Sequence, residues 1–310
     1  MTIGIAAFGA GAGRGVIAAL KAVECVGRGA IGGFVSFAAI KGDGSLVRAS
    51  SQTGGGVSLF DGHVPDEIAV AHVAGLISSG PNRPEPLSDF IAAEPGVGIV
   101  TGHRMPQTRM LDGVALNVHV LRNMKAGADP QSAVDQVIAT CPDMDAGFLA
   151  CSFDGRMGMG STPAVMMRGD LGSGLLEARS ETKRVASIHN AIHPHRLIST
   201  VANEIALDTM TLSETPVAWI RIASGVALHF GPNAQVHVGS NGSADRLVHP
   251  NEAYLTGEWS IGLGDPVAVL ADGRTIGWLG YEPFMIVADG RVQSVDGQKA
   301  IDIPVTSLRS

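Results

Sequence analysis

Three polar side chains fall close together in "VTGHRMP": Thr101, His103 and Arg104, with Gly102 between the first two. The preceding "GVGIV" reads as a buried strand. The pattern therefore predicts a strand end and a glycine-assisted exit that projects the three side chains. Gly102 lets a ligand approach the backbone closely and frees an amide to donate, and His103 or Arg104 can transfer a proton or hold an anionic group. Thr2 offers another route. Removal of Met1 would leave a threonine at the head of "TIGIAAF", with its free amine as base for its own hydroxyl. Ser36, inside apolar "GGFVSFAAI", reads as a satisfied core hydroxyl. No Gly-x-Ser-x-Gly elbow surrounds any serine of a strand-turn-helix unit.

His189, His193 and His195 form "HNAIHPH". An i, i+4 histidine pair can hold a metal from one helical face. Here Pro194 interrupts the helix, and no acidic residue lies between the pair; Glu181 and Glu204 are the acids that could approach. Polar capping at a helix break is the default reading, and neither metal nor cofactor is expected. A metal-dependent hydrolase built on residues 189–195 stays as an alternative. The glycine-rich turn "FGAGAGRG" matches no nucleotide loop: both registers of G-x-G-x-x-G fail at their third position, and no Gly-Lys-Ser/Thr follows.

The elements that must position these residues alternate in the first half. A strand leads into a helix at "GVIAALKAV". "AIGGFVSFAAI" and "SLVRASSQ" read as a hairpin around Gly42-Asp43-Gly44, and "AGFLACSFDGRMGMGS" as a second one. Helices are predicted over "DGVALNVHVLRNMKAG" and, capped by Asp129 with Pro130 at its first position, over "DPQSAVDQVIATC". "SETKRVASIHNAI" and "PHRLISTVANEIALDTM" read as two helical pieces split by Pro194. From Val217 the pattern is strand and turn, with Ala-Asp-Gly-Arg at 271–274 and again at 288–291. Two regions follow, 1–210 and a β-rich 217–310.

The chain has 310 residues, 41 of them glycine, and only 16% are charged, which points to packed layers with many turns rather than disorder. The net charge of −7 and the lack of a basic run exclude nucleic-acid binding and an electrostatic membrane patch. No apolar stretch approaches a membrane span, and no basic segment precedes the first apolar run, so a cytoplasmic location is expected. Cys25, Cys141 and Cys151 fit free thiols better than a disulfide frame. The expected partner is a small-molecule substrate, with further copies of the chain as one option.

The order of these elements (hairpin, Thr-Gly strand, helix, "G-x-D-P-x-x-A-V" helix, "A-G-x-L … D-G" hairpin) resembles the N-terminal nucleophile hydrolases. The nearest branch is the plant-type asparaginases and isoaspartyl peptidases. The likeness covers Gly27 to Asp170. It implies a four-layer αββα sandwich, here with a β-rich C-terminal extension, and hydrolysis of an amide or cyclic imide of a small metabolite. The family's nucleophile position falls on Gly32 or Gly33, where there is no hydroxyl. Ser51 matches the hydroxyl beside the nucleophile, and Thr101-Gly102 match the oxyanion-hole pair. The resemblance thus implies Thr101, His103 and Arg104 as catalytic and Gly32, Gly33, Ser51 and Gly102 as substrate-binding. The absent nucleophile leaves a second option, a non-enzymatic ligand-binding or assembly protein of the same fold.

Overall fold

The computed structural model describes residues 1–62, 64–178, 182–211 and 216–306. The chain divides into two units, Met1–Ser213 and Glu214–Ser310.

The first unit holds ten strands: β1 Thr2–Phe8, β2 Val35–Ile40, β3 Leu46–Ser51, β4 Val73–Ser79, β5 Ala92–Glu94, β6 Gly98–Arg104, β7 Ala146–Ser152, β8 Met157–Ser161, β9 Leu171–Glu177 and β10 Arg184–Asn190. Its helices are α1 Ala12–Val26, α2 Asp66–Ala69, α3 Leu116–Lys125, α4 Pro130–Thr140, α5 Pro163–Met166 and α6 His195–Thr211. Six strands form an antiparallel sheet in the order β3-β2-β4-β1-β10-β9, and four form another in the order β5-β6-β7-β8. Alternation along β1 assigns its faces. Ile3, Ile5 and Ala7 join Val16, Leu20 and Ala202 beneath α1 and α6, while Ala6 joins Ile99 and Leu149 between the two sheets. On the far side of the four-stranded sheet, Val100 and Phe148 pack against Leu116 of α3 and Val134 of α4.

The second unit is a single ten-stranded sheet, a curled half-barrel. Its strands are β11 Ala218–Ala223, β12 Ala227–Phe230, β13 Gln235–Val238, β14 Ala244–His249, β15 Glu258–Gly262, β16 Ala268–Ala271, β17 Arg274–Leu279, β18 Phe284–Ala288, β19 Arg291–Val295 and β20 Ala300–Thr306. The two Ala-Asp-Gly-Arg turns carry left-handed φ at both central residues, 50° and 74° at Asp272-Gly273 and 45° and 69° at Asp289-Gly290, which suits the twist of a tight hairpin.

These observations correct the expected fold class. The chain is not a four-layer αββα sandwich with an extension: it is mostly β, 41% strand against 25% helix, and its largest sheet is the separate half-barrel. One source of the error is local. Residues 184–190, read as helix, are the interior strand β10, buried along nearly its whole length and so lacking the alternation that marks a half-exposed strand. Among the described residues no helix is long and apolar enough to cross a membrane.

Candidate active site

The neighbours of Thr2 follow from register. In the six-stranded sheet Thr2 stands opposite Ser79 on one side and Asn190 on the other. Directly paired residues share a face. That face is the one turned to the four-stranded sheet, because Ile3 and His189, next along their strands, take the helical side. Thr2, Ser79 and Asn190 thus form a buried polar row at the head of three strands. Across the gap, β6 presents Thr101 and His103, both fully buried. The two sheets come within backbone contact just behind this row. A Cβ on Gly4 would lie 2.4 Å from the Gly102 carbonyl oxygen, so the close approach requires glycine.

His103 ties the sheets together. Its Nε2 lies 2.9 Å from Ser161 Oγ and its Nδ1 3.4 Å from Asn190 Oδ1. Burial pushes its pKa down to about 4, so the ring is neutral at pH 7. With a carboxamide oxygen before it, Nδ1 carries the proton, and Nε2 accepts from the Ser161 hydroxyl. The same contact orients the Asn190 amide, whose Nδ2 is buried without a hydrogen-bond partner. A buried orphan donor costs roughly 1–3 kcal/mol, a cost that a ligand acceptor would remove.

Charge collects around the chain's amine. Arg104, at a left-handed φ of 63°, forms a bidentate pair with Asp145, its Nε 2.7 Å from Oδ1. Arg168 does the same with Asp170, Nε to Oδ1 2.8 Å. Arg83 donates to Ser79 Oγ, which in turn donates to the Met1 carbonyl. The Met1 amine is held below its ordinary pKa, first by burial and then by Arg104, Arg83 and Arg168, with Asp170 opposing. The Met1 side chain occupies a socket: its sulfur accepts from the Ala30 amide at 2.9 Å and rests against Gly29, where a Cβ would lie 2.6 Å from it.

The residues singled out from sequence divide accordingly. Strand β6 continues through Arg104, so Thr101, Gly102 and His103 do not leave on a turn. The Thr101 hydroxyl donates to the Leu76 carbonyl at 2.8 Å, an inter-sheet tie rather than an oxyanion donor. Gly102 packs against Gly4 and Gly147. Gly33 backs onto Gly80 and Pro81 and donates to the Ser79 carbonyl at 3.0 Å, so it supports the row; Gly32 takes a turn φ of 78°. Ser51 lies on the edge strand in line with Ile3, facing the helical side, and donates to the Thr53 carbonyl at 2.6 Å. The structure does not bring Ser51 to Thr2. His189 is buried beneath α6, its pKa pushed to about 4 by burial. The His195 carbonyl is a polar neighbour but lies outside hydrogen-bond geometry, so neither ring nitrogen is satisfied. His189 closes a strand and His195 opens a helix, so the histidines share no helical face. Glu181 lies outside the described residues; among those described, no three metal-ligand types cluster. Sequence reasoning had Arg83 only as a loose candidate for the family's substrate clamp and missed Ser79, Asp145, Arg168, Asp170 and Asn190; strand register was the one signal for Ser79 and Asn190.

Comparison with family models decides the kinship. Residues 2–219 match the model described as "Domain of unknown function (DUF6963)". The chain belongs to the DUF6963 family. Residues 225–300 of this DUF6963 protein match a second model, "Domain of unknown function (DUF7259)". No curated protein matches. Among solved structures, the glutamine phosphoribosylpyrophosphate amidotransferase from B. subtilis, complexed with ADP and GMP, is similar at a TM-score of 0.38 and 10% identity, over 68% of this chain and 44% of that one. The chain thus spans under half the length of that protein. The resemblance to N-terminal nucleophile hydrolases of the asparaginase and isoaspartyl peptidase type is corrected by these findings: both matching families are of unknown function, and no relative of either kind supports it.

Proposed function

We propose that the first unit hydrolyses an amide or cyclic imide bond of a small acidic metabolite, with Thr2 as nucleophile once Met1 is removed. The observation that supports this reading best is Asn190. Its unpartnered Nδ2 lies in a buried site, paired in register with Thr2 and fixed by a neutral His103. A preorganised donor of this kind stabilises the oxyanion that forms when a hydroxyl attacks a carbonyl.

The surroundings supply the other parts. A burial-lowered amine flanked by three arginines is unprotonated in a larger fraction of molecules at neutral pH, as a base must be. Removal of Met1 takes that amine away and frees the Thr2 nitrogen, one residue further in, as the amine beside the Thr2 hydroxyl. Thr2 Oγ1 attacks the carbonyl carbon and its proton passes to the amine. The C–N bond then breaks as the ammonium returns a proton to the leaving nitrogen. Water, deprotonated by the same amine, cleaves the resulting ester and restores the hydroxyl. The vacated methionine socket, with the Ala30 amide at its wall, receives the substrate, and Arg83 stands behind Ser79, which held the Met1 carbonyl.

Intact mass and N-terminal sequencing test the first requirement. Amine release from a panel of short carboxamides, N-acyl amino acids and cyclic imides tests the second. The expected result is a chain starting at Thr2, turnover abolished by Thr2→Ala and partly kept by Thr2→Ser. Retained Met1, or turnover that survives Thr2→Ala, refutes the proposal.

A further inference from the structure

A groove of about 550 Å³ opens on the first unit between the edge strand β3, the strand β5 and the helix α3. Three arginines line it. Arg48 crosses from the edge of one sheet to the other, donating to the Ile91 carbonyl at 2.9 Å and the Ala93 carbonyl at 3.3 Å. Both partners are neutral, so its charge is not cancelled by contact. Arg109 pairs with Asp89 at 3.0 Å. Arg122, exposed on α3, makes no ion pair among the described residues. Asp89 is the only carboxylate among the described lining residues. Among the lining residues three positive charges stand against one negative, a surplus of two in a chain whose net charge is −7, with Asp112 outside the lining but within electrostatic reach of Arg122. The floor is apolar, formed by Ile91, Val118 and Leu121.

We infer that this groove binds a small organic dianion, an oxyanion head of phosphate or dicarboxylate type on an apolar body. Arginine forks fit planar or tetrahedral oxyanions through paired N–H donors, and the surplus of two charges matches a double negative. The apolar floor and the volume exceed what a bare ion fills, so the ligand carries a hydrophobic portion. The site shares no residue with the Thr2 row, and the inference stands apart from the hydrolytic reading.

Isothermal titration of the full chain with phenyl phosphate and with phthalate tests it, with inorganic phosphate and phenol as partial probes. Saturable one-to-one binding of phenyl phosphate or phthalate is expected, and which of the two binds identifies the head group. Inorganic phosphate and phenol should each bind more weakly. Arg122→Gln and Arg109→Gln, both at exposed positions, should each weaken binding about tenfold, the size of one charge-assisted contact, while circular dichroism stays unchanged. Asp89→Asn should tighten binding by removing the opposing charge. No saturable binding of either probe, affinity indifferent to both arginine variants, or phenol binding as tightly as phenyl phosphate would each overturn the inference.

Discussion

Placing one methyl group on Gly4 tests the packing of the two sheets directly. Built on the Gly4 backbone, a Cβ would lie 2.4, 2.7 and 2.8 Å from the Gly102 oxygen, nitrogen and carbonyl carbon. Relaxed contacts of this kind lie near 3.5 Å, so the sheets would have to part by about 1 Å at this point. The colliding atoms are all backbone of hydrogen-bonded strands, and no side chain can rotate away. Overpacking costs about 1–3 kcal/mol, and a backbone collision belongs at the upper end. Every α-helix among the described residues lies in the first unit, whereas Trp219, Trp259 and Trp278 all lie in the second. Urea unfolding followed by helical circular dichroism therefore reads the first unit, and tryptophan fluorescence on the same samples reads the second. Gly4→Ala should lower the stability read by circular dichroism by about 3 kcal/mol, shifting its midpoint by about 1 M or more. Gly42→Ala is the control, since a Cβ there meets nothing within 4 Å. If the circular dichroism transition of Gly4→Ala stays within about 0.5 kcal/mol of wild type, the sheets do not meet as described.

Asn190→Ala should retain the fold and lower turnover of any substrate found by about a hundredfold, the usual loss for one oxyanion donor; equal rates would remove Asn190 from the mechanism. His103 and His189 both have folded-state pKa values lowered to about 4, so the unfolded chain binds more protons between there and 6.5. Their contribution is present above pH 6.5 and is lost as pH falls toward 4; denaturation midpoints across that window should fall, and the fall should shrink in His103→Gln. Titration of the native chain with a thiol reagent should modify Cys25 alone, because Cys141 and Cys151 are buried and the Cys151 thiol is pushed up to about 12. Modification of more than one thiol before unfolding would contradict that burial.

The sequence was most readable where structure is made by neighbours. Asp129 caps α4 by accepting from the Gln131 and Ser132 amides, as its position before Pro130 indicates. The Asp-Gly hairpins formed for the same reason. It was least readable where distant packing decides. Gly102 looked like a strand exit, but it is a strand residue made necessary by Gly4 and Gly147 on either side. "VASIHN" looked helical because both faces of β10 are covered, which erases the period of two. The candidate site suffered most. His103 was singled out for its type, yet what it contacts is Asn190, a residue with no local mark. Asn190 meets Thr2 only through the pairing of β1 with β10.

That pairing also sets an order of events during synthesis. Strand β1 lies inside its sheet, yet its partners, residues 73–79 and 184–190, come much later in the chain. At about 5–20 residues per second, roughly 10–40 s pass between the emergence of β1 and that of its last partner. Until β10 is made, the edge of β1 that pairs with it stays open. The sheet order that buries Thr2 would place the trimming of Met1 that the proposed function requires before β10 docks, competing with folding in time rather than following it.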